Sequence, residues 1–145
     1  MNKQDISTTA DEHEPGLAPG KTATAVTIVN VTNTAKAVQS GALDVFATPM
    51  MIALMEQAAC ECIADGLGPG QTSVGTEINV SHTAASRMGM EITATATIEA
   101  VLGRKVDFIV TASDLSGEIG KGKHTRVIVD AERFMSKLVN GQERA

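Results

Sequence analysis

Several residue types are scarce in this 145-residue chain, and each shortage argues against a class of protein. The chain has no tryptophan, no tyrosine and only three phenylalanines, so the aromatic platforms on which nucleic-acid bases stack are missing. Its 17 acidic and 12 basic residues give a net charge of −5, which disfavours a polyanionic partner. No apolar run approaches the roughly 20 residues that a membrane-spanning helix needs. We therefore expect neither nucleic-acid binding nor a membrane span.

Cysteine is also scarce. Cys60 and Cys62 are the only two, and their spacing on a predicted helix points them to different faces. This spacing suits neither a disulfide nor a zinc site, so we expect two buried, reduced thiols. The glycine-rich loop at residues 66–71 lacks the lysine of a P-loop, and no ligand cluster is visible, so we expect no metal or cofactor. The polar N-terminus has no apolar signal region, which predicts a cytoplasmic protein.

The length predicts one folded domain with a single core. Residues 1–20 combine proline and glycine with acidic and hydroxyl side chains, which is typical of a flexible leader. The hydrophobic patterns run from residue 21 to residue 139, which we assign to the domain. Residues 140–145 form a short C-terminal tail.

A helix is predicted between Thr48, a good N-cap residue, and Gly66, a good terminator. It is apolar almost all round, which favours a central helix over a surface one. A β-branched run from Lys21 predicts a strand before it. Four alternating segments predict strands after it, at residues 73–83, 91–101, 104–114 and 118–129. Residues 131–138 can form a short helix after the last strand.

This order of elements predicts an α+β hotdog fold, in which a twisted antiparallel sheet of about five strands wraps around one central apolar helix. Such a sheet leaves one edge strand and one flank of the helix uncovered. We therefore expect the chain to pair into a homodimer.

Glu56 is the anomaly of the helix, because it stands where an ordinary core would place leucine. A buried charge costs several kcal/mol unless it is paired or hydrogen-bonded, so this carboxylate marks a candidate site. His82 lies on the next predicted strand and titrates near neutral pH, which suits proton transfer. Thr48 supplies a hydroxyl at the start of the helix.

The segments FATPMMIALMEQA, VGTEINVSHTA and GKGKHTRVIV resemble the small hotdog acyl-CoA thioesterases related to the fluoroacetyl-CoA thioesterase. The resemblance covers about residues 24–138. It implies hydrolysis of an acyl-CoA thioester to a carboxylate and free CoA, with Thr48, Glu56 and His82 as the catalytic set. It also implies that Gly75 and Arg126 contact the substrate.

One segment departs from that family. The fluoroacetyl-specific enzyme has phenylalanines ahead of the helix that cover the acyl group, whereas residues 34–47 here contain only Phe46. Small residues, Gly41 and Ala42, stand where such a cover is expected. We therefore expect an ordinary short or medium acyl chain rather than selectivity for a fluorinated one.

Each site residue also has a structural explanation. Thr48 can be a plain N-cap, and Glu56 can form an ion pair with Arg126. His82 can be a structural strand-end histidine, and Gly75 can mark a bulge or close packing. Two other functions stay open: a non-catalytic acyl-CoA-binding module, and a hotdog hydratase or dehydratase of enoyl or 3-hydroxyacyl thioesters.

Overall fold

The computed structural model describes residues 17–141. Most of the predicted leader and residues 142–145 of the predicted tail lie outside this range. Within this range there are two α-helices and five strands, in the order β1 (Thr22–Ile28), α1 (Thr48–Ile63), β2 (Gln71–His82), β3 (Glu91–Leu102), β4 (Lys105–Asp114), β5 (Gly117–Asp130) and α2 (Ala131–Val139). A short 3-10 helix, Ala64–Gly66, ends α1.

The five strands form one antiparallel sheet in the order β1-β3-β4-β5-β2, and α1 packs across one of its faces. Consecutive strands β3, β4 and β5 pair as neighbours, while β1 and β2 take the two edges. This is the predicted hotdog arrangement, and each predicted strand is present. β1 ends at Ile28, three residues before the β-branched run ends at Val31, and the other strand ends shift by at most two residues.

Alternation along β3 and β4 builds the core as the sequence pattern indicates. The inward positions of these two strands are all buried: Ile92, Ala94, Ala96, Ile98, Val106, Phe108, Val110 and Ala112. Small residues on β3 leave room for α1, whose buried face carries Met51, Leu54 and Met55. The helix is therefore seated against alanines at the middle of the sheet.

A β-bulge interrupts the alternation of β2 at Thr76. Gly75 pairs with Arg126, but the next paired residue is Glu77, opposite Thr125. The extra residue places Gly75 and Ile78 on the same, inward face, so the alternation does not run unbroken from Val74 to His82. It thereby turns Gly75 toward α1.

One flank of α1 is not covered by the sheet. Ala53, Gln57 and Cys60 are exposed along it, and Glu56 lies at its border. Cys62 is buried, so the prediction of two buried thiols is right for Cys62 and wrong for Cys60. The sheet thus covers one side of the helix rather than enclosing it, and the uncovered side exposes Ala53, Gln57 and Cys60.

Gly120 allows α1 to approach β5 closely. A Cβ atom built on Gly120 would lie 2.6 Å from Met51 Sδ and 2.6 Å from the carbonyl oxygen of Ser81. We expect Gly120→Ala to lower the free energy of unfolding by about 1–3 kcal/mol through overpacking. The matched control is Gly68→Ala, where the nearest atom is the end of the flexible Gln71 side chain at 3.3 Å. Equal melting temperatures for the two variants would contradict the close-packing argument.

Candidate active site

Thr48 and His82 form the first half of the site. Thr48 opens α1, but the N-cap is Ala47 and no side chain caps the helix, so the predicted capping role of Thr48 is wrong. Its Oγ1 instead lies 2.8 Å from His82 Nδ1. The hydroxyl is therefore committed to the histidine rather than to the helix backbone.

His82 ends β2 and faces Gly120 across the sheet. Its Nε2 atom is buried and has no hydrogen-bond partner within residues 17–141. Burial lowers the pKa of His82 below its ordinary value, so the ring is neutral at neutral pH and able to accept a proton. A buried ring nitrogen without a partner is uncommon, and a catalytic role is one explanation for it.

Glu56 and Gly75 belong to the second half of the site. Glu56 Oε2 lies 3.2 Å from Arg126 Nη1, so the ion pair expected on structural grounds is present. The Glu56 side chain is 39% exposed, and the expectation of a buried carboxylate is wrong for the single chain. A Cβ atom on Gly75 would lie 2.5 Å from Glu56 Oε2, so only glycine permits this carboxylate to lie against β2.

Arg126 is buried on β5 and is held by more than Glu56. Its Nε donates to Ser73 Oγ at 2.8 Å, and its Nη2 donates to the Ser73 carbonyl oxygen at 3.2 Å. The sequence pattern did not single out Ser73. Its position became apparent only with the bulge, which sets the face on which Ser73 and Gly75 lie.

His124 completes this half and matches no position of the family pattern. Its Nδ1 lies 2.8 Å from the Glu77 carbonyl oxygen, and its Nε2 lies 3.2 Å from Arg126 Nη1. A carbonyl only accepts and a guanidinium only donates, so Nδ1 carries the proton and Nε2 accepts from Arg126. Burial, above all, lowers the pKa of His124, and the Glu77 bond only partly opposes this. The ring also stacks on Phe108, with centroids 5.9 Å apart.

The two halves lie at opposite ends of β2. His82 lies seven positions after Gly75, which Glu56 contacts, and a strand of that length with one bulged residue spans roughly 20 Å. Within the described residues, Glu56 makes no hydrogen bond or ion pair with His82. The structure therefore brings Thr48 to His82, and Glu56 to Gly75 and Arg126, but does not join the two groups in one chain.

A cavity of 260 Å³ opens beside Thr48 and His82. Its other walls come from the segment before α1 and the loop after β2, and they are mostly small: Ala35, Ser40, Val45, Phe46, Thr83, Ala84 and Ala85. Phe46 is buried in the wall itself, with 2% of its surface exposed. Gly41 and Ala42 are exposed and do not line this cavity.

Two further observations bear on other kinds of site. In the stretch from residue 17 to residue 141, no three His, Cys, Asp or Glu side chains converge as metal ligands would. No helix in the same stretch has the length and hydropathy that crossing a membrane requires.

Comparison with known proteins gives a consistent set of relatives. Residues 29–132 match the family described as fluoroacetyl-CoA-specific thioesterase, FlK. A fluoroacetyl-CoA thioesterase from Streptantibioticus cattleyicolor is 43% identical over 95 residues, which cover 66% of this chain and 68% of that protein.

Solved structures agree with this. A structure of FlK superimposes with a TM-score of 0.82 at 34% identity, covering 88% of this chain and 98% of that one. A thioesterase superfamily member from Thermus thermophilus gives 0.79 at 26% identity, covering 86% and 92%. FlK variants have been solved with fluoroacetate and CoA and with acetyl-CoA.

The neutral state of His124 predicts a pH-dependent stability. Because its native pKa lies below the ordinary value of 6.5, the unfolded chain binds a proton that the native chain does not. The stability that neutral His124 contributes is fully present above the pKa of the unfolded chain. It is lost as the pH falls through the lower pKa of the native chain. We therefore expect His124→Gln to be less stable than wild type at pH 7.5 but to lose less stability between pH 7.5 and 5.5, measured by urea unfolding. His82 titrates in both proteins, so its contribution cancels in the comparison. If the unfolding free energies of the two proteins changed in parallel with pH, the assignment of a neutral His124 would be contradicted.

Proposed function

The chain belongs to the fluoroacetyl-CoA-specific thioesterase family and is an acyl-CoA thioesterase, and we propose that Thr48, His82 and Glu56 carry out its reaction. The observation that supports this choice is the 2.8 Å bond between Thr48 Oγ1 and His82 Nδ1. Thr48 is exposed in the single chain, but its hydroxyl does not cap the helix and contacts a neutral histidine, which is the arrangement of a nucleophile and its base.

In the proposed reaction, His82 Nδ1 takes the proton of Thr48 as Oγ1 attacks the thioester carbonyl carbon. The tetrahedral intermediate collapses by breaking the carbon–sulfur bond, and His82 returns the proton to the departing CoA thiolate. Water then hydrolyses the Thr48 ester with the same histidine as base, which gives the carboxylate and restores the hydroxyl. The reaction consumes only water besides the thioester, so the proposal includes no cofactor.

His82 needs an acceptor for Nε2 when Nδ1 receives a proton. Glu56 is the carboxylate that the family pattern assigns to this role, yet it lies at the other end of β2. We infer that it comes from a second copy of the chain. Among residues 17–141, the edge strand β2 has no strand partner on one side, and the exposed flank of α1 runs beside Glu56.

Antiparallel pairing of two β2 edges supplies the required geometry. A two-fold axis at Asn79, with the bulge at Thr76 taking up one residue, places the partner's His82 opposite Gly75, beside Glu56, and keeps paired residues on the same face. Each of two equivalent sites then combines Thr48 and His82 from one subunit with Glu56, Gly75 and Arg126 from the other. The proposed homodimer also covers the α1 flank and removes a free sheet edge.

The acyl group is proposed to occupy the cavity beside Thr48 and His82. Its 260 Å³ and its small walls accommodate a short or medium acyl chain, and no phenylalanine from residues 34–45 covers it. This composition gives no reason for selecting a fluorinated acyl group over an ordinary one. A cytoplasmic location, where acyl-CoA thioesters are abundant, completes the proposal.

The catalytic assignment is tested with a panel of acyl-CoA thioesters assayed for thiol release. Because His82 transfers the proton and Glu56 stabilises the charged ring, we expect His82→Ala and Glu56→Gln each to lower kcat/KM by roughly a hundredfold or more. Circular dichroism serves as the check on folding. Near wild-type rates in both variants would refute the assignment. Binding without thiol release by the wild type would favour the non-catalytic module, and a change in enoyl absorbance would favour a hydratase.

The shared site is tested by complementation between inactive variants. Glu56→Gln and His82→Ala chains, coexpressed with different tags and purified through both, form heterodimers in which one of the two sites is intact. We expect such heterodimers to have about half of the wild-type activity, as two-fold symmetry requires.

The matched control is a heterodimer of Thr48→Ala and His82→Ala chains. Both changes fall in the same half of the site, so neither site is intact and activity stays at the level of the single variants. Equal activity in the two heterodimers would contradict the proposed sharing, and a monomer by light scattering would contradict the dimer.

A further inference from the structure

A cavity of 280 Å³ lies under α2, at the end of the sheet where β5 ends and β2 begins. Three basic side chains line it, Arg104 from the β3–β4 turn and Arg133 and Lys137 from α2, together with Phe134. In a chain of net charge −5, three cations around one aromatic ring are a marked local exception. Arg133 to Lys137 also lie beyond residue 132, where the family match ends.

The cations of this cavity are available to a ligand. Within residues 17–141, none of the three basic side chains forms an ion pair with a carboxylate. Asp130 is the single acidic residue of the lining, and its carboxylate accepts a hydrogen bond from the Arg133 backbone at 2.9 Å as the cap of α2. The cavity is therefore net positive, and its one carboxylate has a structural role.

Two other cavities that contain basic residues have the opposite charge balance. The cavity with Arg87 also contains Asp114 and Glu118. The cavity with Lys105 and Lys123 also contains three acidic residues, Glu77, Glu99 and Asp107. Both are net negative and repel phosphate groups.

Lys121 and Lys123, on the outer face of the sheet, are the remaining candidates for a phosphate site. Lys123 lies 3.5 Å from Glu99, which partly neutralises it, and the surface offers no aromatic ring. The cavity under α2 instead has two guanidinium groups, which bind phosphate through paired hydrogen bonds, and a phenylalanine on which a base can stack.

The position of the cavity suits the substrate of the proposed reaction. Val129, in its lining, is three residues from Arg126 on β5, which is about 10 Å of strand. The two side chains lie on opposite faces of the sheet, so a ligand that reaches both passes around this end of it. The backbone also fixes α2 here, because the Ala131 amide donates to the Gly70 carbonyl just before β2. The pantetheine arm of CoA is long enough to connect a thioester beside Glu56 with this end of the sheet.

We propose that the cavity formed by Arg104, Arg133, Phe134 and Lys137 binds the adenosine 3′,5′-bisphosphate end of the CoA thioester. This inference rests on the proposed thioesterase function. The phosphates lie against the basic side chains, and the adenine stacks on Phe134, which is 38% exposed. The subsite thus serves affinity for CoA and takes no part in the chemical step.

The test compares two thioesters of the same acyl group, butyryl-CoA and S-butyryl-N-acetylcysteamine, which lacks the nucleotide. For Arg133→Gln/Lys137→Gln we expect kcat/KM toward butyryl-CoA to fall at least about tenfold, mainly through KM, because charge-assisted hydrogen bonds are lost. The value for the truncated thioester stays unchanged, which also shows that the variant is folded. Phe134→Ala raises KM for butyryl-CoA alone, without changing the charge.

The matched control is Lys121→Gln/Lys123→Gln, which removes the same charge from the outer face of the sheet. A fall in kcat/KM toward butyryl-CoA in this control, with none in Arg133→Gln/Lys137→Gln, would overturn the subsite. An equal fall with both thioesters in Arg133→Gln/Lys137→Gln would also overturn it. Calorimetric titration with adenosine 3′,5′-bisphosphate tests the subsite without turnover. Equal binding by wild type and Arg133→Gln/Lys137→Gln would refute it, whereas a wild type that binds the nucleotide but hydrolyses neither thioester would refute only the proposed function.

Discussion

The buried guanidinium of Arg126 organises the half of the site that faces α1. A buried cation is tolerated only when its donors are satisfied and its charge is matched. Ser73, His124 and Glu56 meet these requirements, and they come from β2, β5 and α1 respectively. The ion pair thereby fixes the position of the carboxylate, while Gly75 provides the space in which it lies. His124 has to be neutral for this arrangement, since a protonated ring would present a hydrogen to Arg126 instead of a lone pair.

Much of this fold follows from local patterns in the sequence. The buried positions of β3 and β4 alternate as expected, and the apolar helix is seated on the alanines of β3. The bulge at Thr76 directly follows Gly75, which the sequence indicated as a mark of a bulge or of close packing, but the alternation of β2 alone does not show that a residue is inserted there. It explains why Ser73 was missed and why Gly75 faces the helix. The role of Thr48 was also undetermined, since a threonine before proline is equally typical of a helix cap; only the bond to His82 distinguishes the two.

The family resemblance implied one site with Thr48, Glu56 and His82 but did not show how these residues meet. Antiparallel packing of α1 against β2 explains the difficulty: the start of the helix lies near the end of the strand, and its middle lies near the strand's beginning. Each chain therefore holds the two halves of the site at opposite ends of an edge strand. Two-fold pairing of such a strand exchanges its ends, so in the proposed dimer the two halves that one chain keeps apart would combine into two complete sites.

The same exchange determines how a substrate lies across the proposed dimer. The acyl cavity belongs to the Thr48 and His82 half, and the cationic cavity under α2 belongs to the end of the sheet that carries Glu56 and Arg126. When the halves come from different subunits, the acyl group rests on one subunit and the nucleotide on the other, with the thioester between them. Affinity for CoA and selection of the acyl chain are then functions of separate surfaces. Residues around Val45 and Ala84 can change acyl preference without altering the contacts of α2 with the nucleotide.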